Sequence, residues 1–277
     1  MIRAGLIQLC ASDDPAANLP ITLDYIRAAA AAGAQLVVTP EVTNCVSTNR
    51  AHQRAVLRHQ DQDATLAAIR ALARELSLWV VIGSLALKTE DADGRFANRS
   101  FVVSPDGQIA GHYDKIHMFD VEISAAESYR ESAGYRPGAR AVVVPTDLGV
   151  LGLTVCYDLR FGSLFRELAR AGAQVITVPS AFSPVTGAAH WEVLLRARAI
   201  ETGAFILAPA QVGRHRARAG RPRETHGHSL AVAPWGEVLC DMGLQAGFKL
   251  VELDLAKVDD ARQALPTLRQ NRVYDLP

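Results

Sequence analysis

Two stretches of this chain repeat one design. Ala32-Gly-Ala-Gln-Leu-Val-Val-Thr-Pro40-Glu41 and Ala171-Gly-Ala-Gln-Val-Ile-Thr-Val-Pro179-Ser180 each leave a helical pattern through a glycine, run into a short apolar strand and stop at a proline. Gly33 and Gly172 suit the left-handed position that ends a helix. Pro40 and Pro179 close each strand where no ladder donor is needed. Two such halves predict an α/β fold, a four-layer α-β-β-α sandwich of two mixed sheets packed face to face with helices outside. A single central sheet would contradict it.

The rest of the chain agrees with that class. Strand-like runs at residues 4–10, 78–87, 100–103, 108–113, 141–145, 150–155, 205–208, 229–232 and 250–253 join those of the repeat at 36–39 and 175–178. They alternate with helical patterns at 19–32, 64–76, 164–171 and 191–202. Turns at Ser-Pro-Asp-Gly (104–107) and Pro-Trp-Gly-Glu (234–237) add antiparallel hairpins. No linker or low-complexity tract divides the 277 residues, so one domain over 1–277 is expected. Lys plus Arg and Asp plus Glu both number 29, which leaves no global electrostatic footprint for nucleic acid or an anionic membrane. A small-molecule partner is expected instead. The first ten residues read as a strand and not a signal peptide, and no run approaches the ~20 apolar residues that cross a bilayer. Four scattered cysteines without metal spacing, Cys10, Cys45, Cys156 and Cys240, fit reduced thiols. A cytoplasmic protein is therefore expected.

One of those thiols stands apart. In Val150-Leu-Gly-Leu-Thr-Val-Cys156-Tyr-Asp-Leu-Arg-Phe161 an apolar strand stops at a cysteine and polar residues follow. Strand, turn and helix in that order lift a nucleophile out of the carboxyl edge of a sheet. Glu41 stands directly after the strand at 36–39, and Lys115 closes the strand at 108–113. Glu131 lies in the irregular stretch 116–138, long enough to be functional.

In order and in residue type these pieces resemble the nitrilase superfamily, the carbon-nitrogen hydrolases, over essentially the whole chain. The resemblance rests on Pro40-Glu41, Asp114-Lys115 with His117 and Phe119-Asp120, Glu131-Ser132, Cys156-Tyr-Asp-Leu-Arg-Phe161 and Ala189-His-Trp-Glu192. The stretches 179–201 and 211–229 look most like the deaminated-glutathione amidase branch, itself similar to the ω-amidases. Thr39 departs from the Leu or Phe common before Pro-Glu, and Gly162-Ser163 from the usual Pro-Glu after Arg-Phe; His226 and Ala233 replace a common Tyr and Asp. The Gly162-Ser163 change is expected near the substrate pocket. The resemblance implies the same sandwich, paired as a homodimer, with the segment from about 255 a tail at that interface. It implies hydrolysis of a small-molecule amide, deaminated glutathione giving 2-oxoglutarate and cysteinylglycine, through a Cys156 thioester. Glu41 would be general base, Lys115 with the backbone N–H of Tyr157 the oxyanion partner that also favours the thiolate, and Glu131 an orienting carboxylate. Tyr157, Arg160, Phe182 and His190 are expected to bind substrate. The chemistry calls for no metal or organic cofactor.

Rival readings are a papain-like pair in which His117 or His190 is the base, another substrate (2-oxoglutaramate, a carbamoyl compound, an aliphatic amide or a nitrile), and a catalytically silent binding protein on the same fold. Three further features stand outside the quartet. His226-Gly-His228 lacks the spacing of a third metal ligand. Glu192 and Arg196 fall at i and i+4 and read as a helix-stabilising pair. Arg214, Arg216, Arg218, Arg221 and Arg223 crowd one Gly- and Pro-containing segment, either as a solvated loop or as guanidinium forks for substrate carboxylates.

Overall fold

Alternation along the first strand builds two layers at once. In β1 (Ile2–Gln8) Ala4 and Leu6 enter a core shared by both sheets, whereas Ile7 packs on the helix side. The computed structural model describes residues 1–124, 127–270 and 272. From β1 the chain passes through α1 (Pro15–Ala31) to β2 (Leu36–Val38), then α2 (Arg50–Val56), α3 (Ala64–Leu76), β3 (Trp79–Leu87), β4 (Ala97–Val103) and β5 (Ile109–Asp114). A hairpin of β6 (Asp120–Ser124) and β7 (Glu127–Arg130) leads into β8 (Val142–Thr146), β9 (Gly149–Leu153), α4 (Gly162–Arg170), β10 (Val175–Thr177), α5 (Pro184–Thr202) and β11 (Phe205–Ala208). A small pair, β12 (Val212–Arg214) and β13 (Glu224–His226), precedes β14 (Leu230–Val232), β15 (Val238–Asp241), β16 (Gly247–Leu253) and α6 (Ala256–Ala264).

The two large sheets have matching plans, β16-β1-β2-β3-β4-β5 and β15-β14-β11-β10-β9-β8. In each, a parallel trio sits in the middle and antiparallel strands flank it. The repeated segments supply the middle strand of each trio, β2 and β10. Gly33 and Gly172 have φ of +97° and +98°, the left-handed turn expected after each helix. Ile26 and Ala29 of α1 and Ile69, Leu72 and Ala73 of α3 cover one sheet. Leu164, Phe165 and Leu168 of α4 and Trp191, Leu195 and Ala199 of α5 cover the other. The result is the four-layer sandwich, with its main core between and behind the sheets.

Differences from the sequence reading have local causes. Asp14 caps α1 through Ala16 N–H with Pro15 at the first helical position, so the helix begins before its apolar periodicity does. Pro184 opens α5 in the same way, seven residues ahead of the expected start. α2 is short and polar, held by the Asn49 side chain at its cap. The stretch 116–138, read as irregular, contains the β6–β7 hairpin. Pro145 sits inside β8, which is tolerated because β8 is an edge strand. Among the described residues no helix is long and apolar enough to cross a membrane.

Candidate active site

Catalytic groups in sheet proteins gather where parallel strands end, and three of the four candidate residues sit there. β5 runs in the same direction as β2 and β3, so Lys115 and Glu41 leave the same edge of one sheet. Cys156 leaves the facing edge of the other, three residues beyond Leu153 at the end of β9. Glu131 arrives from the β6–β7 hairpin as the first residue of a 3-10 turn, Glu131–Ala133.

Two backbone devices present these groups. Cys156 has φ +50°, a strained left-handed conformation for a residue with a side chain, at the start of the 3-10 turn Cys156–Arg160. Its own N–H donates to Pro179 O at 2.9 Å. Asp158, fully buried, ties the turn down by accepting from Val155 N–H (2.8 Å), His117 N–H (3.0 Å) and the Tyr113 hydroxyl (2.7 Å). Across the site Val42, just after Glu41, has φ +47°, an outlier for a β-branched residue. Ser84 holds it, its hydroxyl accepting from Val42 N–H at 2.8 Å. Gly83 lets the two sheets meet here: a Cβ would lie 1.9 Å from Thr39 O and 2.5 Å from the Pro179 side chain. Thr39, the departure from the family pattern, uses its hydroxyl to accept from Gly83 N–H at 3.1 Å and to pair with Thr43 at 2.8 Å.

At the centre, Lys115 donates to Glu41 Oε1 at 3.0 Å and to both oxygens of Glu131 at 2.9 Å. Glu41 also accepts from Asn98 Nδ2 (2.8 Å) and Ala181 N–H (2.8 Å), and its backbone carbonyl accepts from Gln211. The Cys156 thiol stands close enough to the Glu41 carboxylate to feel its charge. Glu41 and Lys115 are 3% and 2% exposed, so the ion pair works in a dry medium. Burial alone would raise the Glu41 pKa, but Lys115, Arg223 and the hydrogen bonds outweigh it and hold the carboxyl below its ordinary value. Burial likewise opposes charge on Lys115, yet Glu131 and Glu41 keep it well above its usual range. Burial first, then Glu41, pushes the Cys156 thiol far up; Lys115 pulls it toward the thiolate, as expected, without winning. The resting site is therefore thiol, carboxylate and ammonium.

The four groups open on a cavity of ≈ 480 Å³. Tyr157 and Phe182 line it; Arg160 and His190 do not. Arg160 lies behind those rings, 5.8 Å from the Tyr157 centroid and 5.5 Å from that of Phe182, with His190 Nδ1 3.3 Å from its guanidinium. His117 is stacked on Phe161 at 3.5 Å with Nδ1 on Asp158 at 2.7 Å, and it too is outside the cavity lining. Gly162-Ser163, expected near the pocket, line no part of it. A Cβ at Gly162 would face Arg198 and Glu201 of α5 instead. His226 and His228 stack at 4.7 Å, and His228 pairs with Asp241 at 3.0 Å. Among the described residues no cluster of three or more His, Cys, Asp or Glu could hold a metal ion. The sequence reading passed over Asn98, which bridges Glu41 and Glu131. It falls two residues ahead of the strand expected at 100–103; β4 begins earlier, at Ala97, and so carries the Asn98 amide into the site.

The chain belongs to the carbon-nitrogen hydrolase family, matching it over residues 3–263, and is an enzyme of the nitrilase superfamily's amidase type. It is 38% identical over 98% of its length to the deaminated glutathione amidase of Yersinia enterocolitica, covering 93% of that protein. The crystal structure of the C. elegans NitFhit protein superposes with a TM-score of 0.88 at 32% identity, over 98% of this chain and 65% of that one. An amidase from Nesterenkonia sp. AN1, 26% identical with a TM-score of 0.77 over 96% of this chain and 98% of that one, has been seen with acrylamide added at its active-site cysteine.

Proposed function

We propose that this enzyme hydrolyses the amide bond of deaminated glutathione, releasing 2-oxoglutarate and cysteinylglycine through a thioester on Cys156. Glu41 is the general base: it takes the thiol proton as sulfur attacks the carbonyl carbon, passes it to the departing nitrogen, and then draws a proton from the water that opens the thioester. A raised thiol pKa suits this order, because the proton leaves only as the new bond forms. Lys115, with the Tyr157 N–H, takes the oxyanion; Glu131, itself held by Asn98, keeps the Lys115 ammonium aimed and, with Glu41, charged. The observation that carries the reading is the Glu41 carboxylate, bound by Lys115 and acting on the Cys156 thiol, on the wall of a cavity that all three line. Names of full-length relatives supply the substrate. The substrate is a small molecule, with neither nucleic acid nor membrane as partner. The setting is cytoplasmic and the assembly a homodimer.

The test is 2-oxoglutarate release by purified protein from deaminated glutathione and from 2-oxoglutaramate, with Cys156→Ala alongside. Faster release from the former, absent in the variant, is expected, together with an acyl adduct on Cys156 in quenched wild-type samples. Preference for 2-oxoglutaramate, or turnover by the variant, would overturn the reading.

A further inference from the structure

The cavity wall is far more cationic than the chain. Arg50, Lys115, Arg130, Arg221 and Arg223 line it, against Glu41 and Glu131, although the whole sequence has a formal net charge of zero. Lys115 takes both acids, and Arg130 pairs with Glu122 at 2.9 Å. Arg50, Arg221 and Arg223 have no carboxylate within ion-pair distance among the described residues, although Arg223 acts on Glu41 and Arg50 on Glu131 from further away.

The three are held differently. Arg223 donates through Nη2 to Ala181 O, while its buried Nε has no partner. Ala181 N–H donates to Glu41 at 2.8 Å, so Arg223 and Glu41 hold the two ends of the same residue's backbone. Thr186, at the start of α5, lines the same cavity and has a buried hydroxyl that is likewise unpartnered. Arg50 is fixed at the mouth: its guanidinium lies 5.2 Å from the Tyr135 centroid and 5.8 Å from that of Phe96, and Nη1 donates to Gln53 at 3.3 Å. Gly134 makes room for it, since a Cβ there would fall 1.2 Å from the Arg50 Cζ. The arginine-rich segment lies on the turn just before Arg50. Thr48 Oγ1 donates to Arg221 O at 3.3 Å, and a Cβ on Gly220 would lie 3.2 Å from Asn49.

Resting on the amidase reading above, we propose that these arginines are the residues that tell one amide from another, each reading a carboxylate on a different side of the scissile bond. Arg223 and Thr186 receive the carboxylate of the acyl part. Arg221 and Arg50 receive a second one on the leaving amine at the mouth. Planar guanidinium forks suit carboxylates in both places. A dipeptide leaving group places its terminal acid ~7 Å from the bond at about 3.5 Å per residue, so the two acids need separate partners.

The test compares deaminated glutathione with its glycine carboxamide, which keeps the acyl-side acid and removes the far charge, on wild type, Arg221→Ala, Arg221→Glu and Arg223→Lys. Wild type is expected to prefer the acid by about tenfold or more in kcat/KM, the size of one charge-assisted hydrogen bond. Arg221→Ala should narrow that preference to under about threefold and Arg221→Glu should invert it, both through KM. Arg223→Lys should raise KM about tenfold for both compounds alike, with the preference kept. Equal wild-type rates on acid and carboxamide, or an undiminished preference in Arg221→Glu, would overturn the proposal while leaving the amidase reading intact. Wild type inert on both compounds would instead sink that reading. Arg221 is exposed, so its variants test recognition and not folding.

Discussion

A carboxyl as buried as Glu41 ordinarily takes up a proton; this one stays ionised because Lys115, Arg223 and hydrogen bonds outweigh the burial. Its ionised form is what activity requires, and its pKa lies below the ordinary 4.5. Activity should then fall only as pH drops below about 4.5, while thiol and ammonium pKa values displaced upward give no basic limb below about pH 9. Initial kcat/KM is therefore expected to be level between about pH 5 and 9; a bell centred on a group titrating near 6.5 would point to a histidine base. Glu41→Gln keeps the size of the side chain and removes the base, so kcat should fall about 10²–10⁴-fold. His117→Ala, whose ring sits outside the cavity on Phe161 and Asp158, should retain a rate measurable in the same assay. The opposite pattern would restore the cysteine–histidine pairing.

At the scale of elements, a buried histidine is among the ties that hold the segment after β12 to the body of the protein. His215 donates from Nδ1 to Ala11 O at 2.7 Å, since a carbonyl can only accept, and Nε2 then accepts from the Thr225 hydroxyl at 2.8 Å. Burial, reinforced by Arg223, pushes its pKa down to about 4. Between the unfolded value near 6.5 and that folded value the unfolded chain binds the extra proton, so stability falls as pH drops through this window. At about 1.4 kcal/mol per unit the loss reaches about 3 kcal/mol. Denaturant melts at pH 7, 6, 5 and 4 should show it, and His215→Gln, less stable at pH 7, should flatten the slope across that range. An unchanged slope would mean other groups set the acid limit. The same element shows what sequence can and cannot reveal. Apolar strands ending in glycine or proline announce the sandwich, and residues just past strand ends announce a site, which is why Glu41, Lys115 and Cys156 could be singled out and meet in space. Which way a side chain leaves a turn has no such signal: Arg160 and His190 lie behind the aromatic wall, and Arg50 enters the cavity from a polar helix with no apolar period to mark it.

At the scale of the molecule, the outer face of α5 is left apolar. Val185, Val193 and Ile200 are 58%, 68% and 48% exposed at intervals of eight and seven, close to whole turns, so they share one stripe. Ile200 also borders a cavity with Trp235, from the β14–β15 turn, and Leu265. The last described segment completes this face. Val258 and Ala261 of α6 are buried against their own chain, and Arg262 donates to Thr202 O at 3.0 Å, fixing Leu265 beside Ile200. Patches of this kind are uncommon on monomers, and a single helix stripe can meet itself across a two-fold axis, each residue serving both copies. The homodimer proposed above is expected to close over α5, with the segment from 255 at its margin. Val193→Asp with Ile200→Asp places four charges in such an interface and should shift sedimentation from the dimer to the monomer mass at micromolar concentration. Both positions are exposed in the isolated chain, so its fold and circular dichroism should persist. A double variant that still sediments as a dimer would move the interface to another face.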